Sequence, residues 1–376
     1  MPPIRSRLIL PLVFTLAFTV ARGASPEQQV EALMRPYRGG VPGAAVLVLH
    51  DGRTVLERGF GFADLEGRQP VTASTDFRLA SMTKQFTAAA VLLLVEDGRL
   101  SLDDRIGRWL PTLPPVPAAA TVRQLLCHTA GLIDYEDLIP PQRTEQLHDA
   151  DVLELLEHEN RTYFAPGTHY RYSDSGYSLL SLIVARASGR DFATFLRERI
   201  FRPLKMSDSL AYEAGVSRVP NRAFGYSLDK DRWLRTDQSL TSAVLGDGGV
   251  YSSIRDLARW DAALYDDRLL SAQSLQLSFT PATATDDANV RYGFGWRITG
   301  ETVWHSGETL GFRNVIVRWP GRHFSVVVLT NRNDPEPYTL ALAIAQAYLP
   351  DIDVTRATQV VVGPDSGARP LPPDTH

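Results

Sequence analysis

Apolar and polar positions alternate in three zones along the chain. Val41 to His50 and Arg53 to Ala63 are alternating or apolar runs joined by Asp51-Gly52, which predicts a β-hairpin after a first helix over Pro26 to Tyr37. From about Thr75 to about Ser278 the apolar spacing turns helical. Helices are predicted over Thr83–Asp97, Thr121–Cys127, Ala150–His158, Ser175–Ala187, Asp191–Ile200 and Ile254–Tyr265. Strands then return over Tyr292–Ile298, Thr302–Trp304, Gly311–Trp319 and Phe324–Thr330, and Pro337 to Tyr348 reads as a last helix. From Val354 to His376 the chain is expected to fray, being rich in glycine and proline from Gly363 on.

Strands at both ends of a helical middle predict a mixed α/β (α+β) fold. One antiparallel sheet draws strands from both ends of the chain, the terminal helices flank it, and an all-helical lobe is inserted. The division expected is residues 1–23 as a leader and 24–350 as one domain, with 351–376 as a tail. Within the domain, 24–75 plus 288–350 form the sheet lobe and 76–287 the helical lobe. A cleft between two such lobes is a natural place for a site.

Composition narrows the function. Hydrophobic residues make up 44% and charged residues 22% of 376, ordinary values for a globular protein. A formal charge of −4 points to no nucleic-acid partner. Arg5 and Arg7, then the apolar run Leu8 to Val20, then Ala21-Arg22-Gly23 read as a cleavable export signal, too short to span a membrane. This predicts a periplasmic or secreted protein. Its removal takes Arg5, Arg7 and Arg22 and moves the formal charge from −4 to −7. Cys127 is the only cysteine, so no internal disulfide forms.

The chemistry starts at Ser81-Met82-Thr83-Lys84, just before the apolar run Phe86 to Val95. Three residues apart on a helix, a serine and a lysine share one face. A lysine beside a serine is one way to activate a nucleophile without histidine. Ser227-Leu228-Asp229-Lys230 has the same spacing, but it lies in a polar loop or hairpin with its lysine bracketed by Asp229 and Asp231, and it is set aside. No G-x-S-x-G or H-E-x-x-H segment occurs, and the histidines show no metal-ligand spacing. Tyr172-Ser173-Asp174 precedes a helix, and a tyrosine between cations such as Lys84 and one other has an accessible phenolate. His305-Ser306-Gly307 closes a predicted strand, where Gly307 allows close approach of substrate. The N–H groups of Ser81 and Glu308 are then candidates for an oxyanion hole.

Together and in this order these segments resemble the penicillin-recognising serine hydrolases: class C β-lactamases, secreted serine DD-peptidases and their esterase relatives. Further matches are Phe77-Arg78-Leu79-Ala80, the segment Leu125 to Leu132 (LLCHTAGL), Pro166-Gly167 ahead of Tyr172, and Gly246 to Ser252 with Arg255 to Arg259 behind it. The resemblance covers roughly Val30 to Ala347. It implies a β-lactamase/transpeptidase-like fold and an acyl-enzyme on Ser81, with Lys84 moving the serine proton. Tyr172 then serves as general base and later as acid. His305 and Ser306 line the strand along which substrate lies, and His128 is structural. No cofactor and no metal are implied.

Two departures bear on substrate. Asp174 stands where the family's motif ends in asparagine, and an ionised aspartate only accepts hydrogen bonds. Pointed at Lys84, it favours the charged ammonium and shifts the burden of base to Tyr172. His305 stands where β-lactamases carry lysine and is mostly neutral at pH 7. Arg313 is a candidate cation nearby. The expected activity is hydrolysis of a small ester, amide or D-amino-acid peptide, with weak β-lactamase activity. The alternatives are a cell-wall DD-carboxypeptidase or endopeptidase, or a penicillin-binding or peptide-sensing module without turnover. The expected partner is a small-molecule or peptide substrate; the oligomeric state is left open.

Overall fold

The computed structural model describes residues 23–360 and 362. The expected leader, Gly23 apart, lies outside the described residues. Among them no helix is long and apolar enough to cross a membrane.

Helix α1 (Pro26–Leu33) starts at a capping box, with Ser25 accepting from the N–H of Gln28. It leads into β1 (Ala44–His50) and β2 (Arg53–Phe60), the predicted hairpin. Six further strands lie near the other end: β3 (Thr283–Ala284), β4 (Arg291–Tyr292), β5 (Arg297–Thr299), β6 (Thr302–Thr309), β7 (Phe312–Trp319) and β8 (Phe324–Thr330). They form one eight-stranded antiparallel sheet in the order β3-β4-β5-β6-β7-β8-β1-β2. The two ends of the chain meet where Ala44 pairs with Thr330 and His50 with Phe324.

Both faces of the central strands are covered, so these strands are apolar at successive positions. Val46, Val48, Val315, Val317, Val326 and Val328 face α1 and the last helix, α5 (Pro337–Tyr348). Ala45, Leu47, Leu49, Ile316, Val327 and Leu329 face the helical lobe. Three more helices matter for the site: α2 (Lys84–Glu96), α3 (Asp174–Ser188) and α4 (Ile254–Ala263). Helix α2 is buried from Lys84 to Leu94 on every side, which is why its sequence shows no polar face.

Four expectations change. Tyr292–Ile298 is two short strands, because the chain turns at Gly295 (φ 76°) between β4 and β5. The strand expected to stop at Trp304 runs on to Thr309, paired throughout with β7. The middle of the chain also contains a three-stranded sheet, Phe77–Arg78, Val250–Ser252 and Leu210–Ala211, too short to show a pattern. The expected frayed tail is packed at its start: Ile352, Val354 and Ala357 are buried against the α1–α5 face, since they supply apolar cover that the sheet lobe lacks there. Residues 361 and 363–376 of that tail lie outside the described residues.

Candidate active site

Ser81 sits on a 3₁₀ turn, Ala80–Thr83, that runs directly into α2. The residue before it, Ala80, has φ 50°, a left-handed conformation unusual for a side chain with a Cβ and typical of strained functional turns. The turn and the helix bring Lys84 back over Ser81, with Nζ donating to Oγ at 2.9 Å.

Lys84 is fully buried and has two further acceptors. Nζ donates to Asp174 Oδ1 at 2.6 Å and to the carbonyl of Asp247 at 3.0 Å. Asp174 is the first residue of α3, set there because Ser173 caps the helix by accepting from Gly176 N–H. Asp247 reaches Lys84 because Gly246 lies against α3; a Cβ on Gly246 would stand 2.3 Å from the carbonyl of Tyr177. Burial first, and then the Asp174 charge, pushes the Asp247 carboxyl well above the usual carboxylate range. Tyr135 donates to that carboxyl at 3.0 Å. Asp134, next to Tyr135, is pushed up to about 6 by burial and then by Asp174. Four acidic residues, Asp134, Glu136, Asp174 and Asp247, therefore surround Tyr135, and Glu136 also lines the cavity beside Ser81.

That cavity is small, about 30 Å³, and is lined by Ser81, Tyr135, Asp174, Asp247 and Glu308, with Arg78 at its edge. Ser81 and Glu308 thus line the same cavity.

Tyr172 is half-buried. Lys84 Nζ lies 5.0 Å from its ring centroid and the Arg297 guanidinium 5.1 Å. His128 packs on the same ring at 4.3 Å and accepts from Ser173 N–H at 3.1 Å through Nδ1, so it fixes the backbone between Tyr172 and α3. This loop-end role is the one expected of His128.

The strand motif is buried. His305 is fully buried and does not line the cavity. Its Nδ1–H donates to the Ser306 carbonyl at 2.5 Å and its Nε2 faces the Tyr292 hydroxyl at 2.9 Å. Burial first, then Arg297 and Lys84, pushes its pKa well below the usual value, so the ring is neutral. Ser306 is also buried and also off the cavity wall. The reason is packing: β6 is pressed between the lobes, and its inward side chains fill space there instead of facing solvent.

Gly307 is needed for that packing. A Cβ there would lie 2.0 Å from the Leu79 carbonyl, so the strand lies directly against the turn that bears Ser81. Arg313 is no open cation: its guanidinium pairs with Glu308 at 2.6 Å. The rejected pair, Ser227 and Lys230, sits on a hairpin (Tyr226–Asp229 and Arg232–Arg235), where Lys230 takes a turn conformation with φ 55°.

Sequence reasoning missed Asp247 and Arg297 as site residues. Asp247 lies in the Gly246–Ser252 segment that carried part of the resemblance, so a signal was there. Arg297 had none, because it reaches Tyr172 only through the pairing of β5 with β6.

A mixed fold with one antiparallel sheet, an inserted helical lobe and a serine–lysine pair at their junction defines a serine hydrolase of the β-lactamase and transpeptidase class. The Beta-lactamase family model matches residues 27–349, and the chain belongs to that family. It is 31% identical over 323 residues to penicillin-binding protein 4* of Bacillus subtilis (strain 168), covering 81% of this chain and 71% of that protein. It is 29% identical over 347 residues to a D-aminopeptidase of Gluconobacter oxydans (strain 621H), covering 89% of this chain and 63% of that longer protein. Among solved structures, the octameric penicillin-binding protein homologue from Pyrococcus abyssi superposes with a TM-score of 0.78 at 26% identity, over 88% of this chain and 78% of that one.

Proposed function

We propose that the protein is an exported hydrolase that forms an acyl-enzyme on Ser81 and acts on a small ester, amide or D-amino-acid peptide. The contact of Lys84 Nζ with Ser81 Oγ at 2.9 Å carries this reading. Ser81 Oγ attacks the substrate carbonyl while its proton passes to the Tyr172 oxygen, Lys84 staying hydrogen-bonded to Oγ. The N–H groups of Ser81 and Glu308 hold the oxyanion. The tetrahedral centre collapses, the leaving group takes the proton from Tyr172, and water releases the acyl group by the same steps in reverse order.

Asp174 and the neutral His305 favour esters and amides over β-lactams. No permanent cation stands on β6 for a lactam carboxylate, and the donor an asparagine would offer is absent. The D-aminopeptidase relative supports a D-configured acyl group. The basic and apolar start of the chain supports export, which a mature N-terminus from secreted material would test.

The test is turnover of p-nitrophenyl esters, D-amino-acid amides, a D-Ala-D-Ala peptide and a chromogenic cephalosporin, with labelling by a fluorescent penicillin. Ester or D-amide hydrolysis lost in Ser81→Ala is expected. Preferred release of D-alanine from the peptide would favour a carboxypeptidase. Lasting label without turnover would replace this reading with a penicillin-binding module. In Tyr172→Phe the rate should fall about 10²–10⁴-fold.

A further inference from the structure

We propose that the protein has a second binding site, for a phosphate ester on an apolar body, in the cavity lined by Arg197, Arg202, Lys205, Arg218 and Arg259. This cavity measures about 730 Å³, within the roughly 300–1,000 Å³ of small-molecule sites. No residue lines both it and the cavity beside Ser81.

Its charge is one-sided. No acid is among the residues that line it, in a chain whose formal charge is −4. Arg202, Lys205 and Arg218 are exposed and make no ion pair among the described residues. Arg259 is already paired with Asp256 at 2.5 Å, and Arg197 donates to the Thr194 hydroxyl at 3.0 Å. The acids nearby in sequence are engaged: Glu198 pairs with Arg190 at 2.6 Å, and Asp208 accepts from the Ser253 hydroxyl at 3.1 Å. Like charges gathered at one concavity repel each other and raise the local concentration of anions. Guanidinium forks match two phosphate oxygens at once.

Separate segments converge to build this cluster. Arg197 and Arg202 bracket the π-helical turn Arg197–Phe201, which continues the helix Phe192–Leu196. The N–H of Arg202 donates to the Arg197 carbonyl, five residues back, at 2.9 Å. Residues five apart stand about 140° apart around an α-helix. The wider turn brings both arginines to one cavity, and single π turns recur at functional sites. Lys205 then ends the helix, its N–H donating to the Arg202 carbonyl and that of Met206 to the Phe201 carbonyl. It has φ 57° at the position that glycine usually takes. A cation at a helix C-terminus also answers the helix dipole, which accounts for Arg202 and Lys205. It does not account for Arg218, from a loop, or for Arg259, on α4.

The floor is apolar. Phe201 and Met206 are buried and line the cavity together with Leu210. Inorganic phosphate would use the cations and leave this floor uncovered, whereas an ester with an apolar body covers both.

The experiment titrates the purified protein calorimetrically with octyl phosphate below its micelle concentration. Inorganic phosphate is the control for charge and octyl glucoside the control for the chain. Octyl phosphate should bind at least about tenfold more tightly than either, and less tightly as salt is raised. Arg202→Gln combined with Arg218→Gln removes two charge-assisted contacts and should weaken binding about 100-fold. Lys205→Gly should weaken it about tenfold. It should also raise the unfolding midpoint, because glycine relieves the left-handed turn. Weaker binding by a more stable protein separates loss of the site from loss of the fold.

Vesicles of phosphatidylglycerol and phosphatidylcholine distinguish the sources of such a phosphate. Displacement of octyl phosphate by them supports a lipid headgroup as occupant, and its retention a soluble ester. Unchanged affinity in the variants, or equal affinity for octyl phosphate and for either control, would overturn the proposal. So would vesicle binding without any binding of octyl phosphate, which a charged surface gives with no cavity.

Discussion

At Asp174 one oxygen replaces one amide nitrogen, and the electrostatics of the site change with it. The Asp174 side chain accepts from Lys84 Nζ at 2.6 Å. Asp174→Asn should therefore loosen Lys84 and restore one donor toward a substrate carbonyl. A single hydrogen bond of this kind contributes about 1 kcal/mol, so amide turnover should rise several-fold relative to ester turnover. An unchanged ratio of the two rates in side-by-side assays would argue against the role given to Asp174. At this scale the sequence was partly legible. Ser81 and Lys84 are three residues apart, so local helical geometry alone brings them together. Asp174 follows Tyr172 closely and travels with it. The state of His305 was also anticipated as neutral, but its burial and its bond to Tyr292 depend on β4 and could not be read locally.

Among the elements, the contact of β6 with the Ser81 turn sets the geometry of the site. It exists because Gly307 has no side chain where the Leu79 carbonyl passes. Gly307→Ala should push the strand and the turn apart. Overpacking of this kind costs about 1–3 kcal/mol. The unfolding midpoint should fall, and kcat should fall at least tenfold, as the N–H groups of Ser81 and Glu308 lose their common wall. A variant with wild-type kcat would show that this contact does not position the nucleophile. The sequence predicted the element types well where patterns are long, as in α2, β7, β8 and α5. It ended β6 too early because the segment His305 to Thr309 lacks an apolar alternation: it is buried by the lobe packed on it. The two-residue strands were invisible for a simpler reason, since two residues hold no period.

Across the whole molecule, buried acids make stability depend on pH. Asp76 is fully buried, one of its carboxyl oxygens has no hydrogen-bond partner among the described residues, and burial followed by the Asp208 charge pushes it up to about 8. It ties the strand leading to Ser81 to the far segment at Asn221 and Ala223, through backbone bonds in both directions. The folded state thus keeps a proton that the unfolded chain releases near pH 4. The contribution to stability is full below about pH 4 and is lost as pH rises toward 8, above which it changes no further. Asp76→Asn removes the ionisation. It should stabilise the fold by roughly 1–3 kcal/mol at pH 9, and the gain should shrink as pH falls to 4. Urea unfolding of both proteins across this range measures it, and parallel curves would refute the assignment. Glu336, at the start of α5 and pushed up to about 7 by burial, acts in the same direction.

The sequence by itself determined the order of strands and helices, the architecture that follows from strands at both ends, and the serine–lysine pair. These depend on periodicity, on turn residues and on spacings within one turn of helix, and neighbours along the chain supply them. Tertiary structure alone decided which groups surround the pair. Asp247, 163 residues from Lys84, brings its carbonyl there because Gly246 beside it lies against α3. Arg297 reaches Tyr172 because β5 pairs with β6. His305 is fully buried, with its Nε2 against the hydroxyl of the equally buried Tyr292. A charge acts through space, whatever the sequence separation, so the field at Tyr172 could be read only after the sheet and the helical lobe were set against each other.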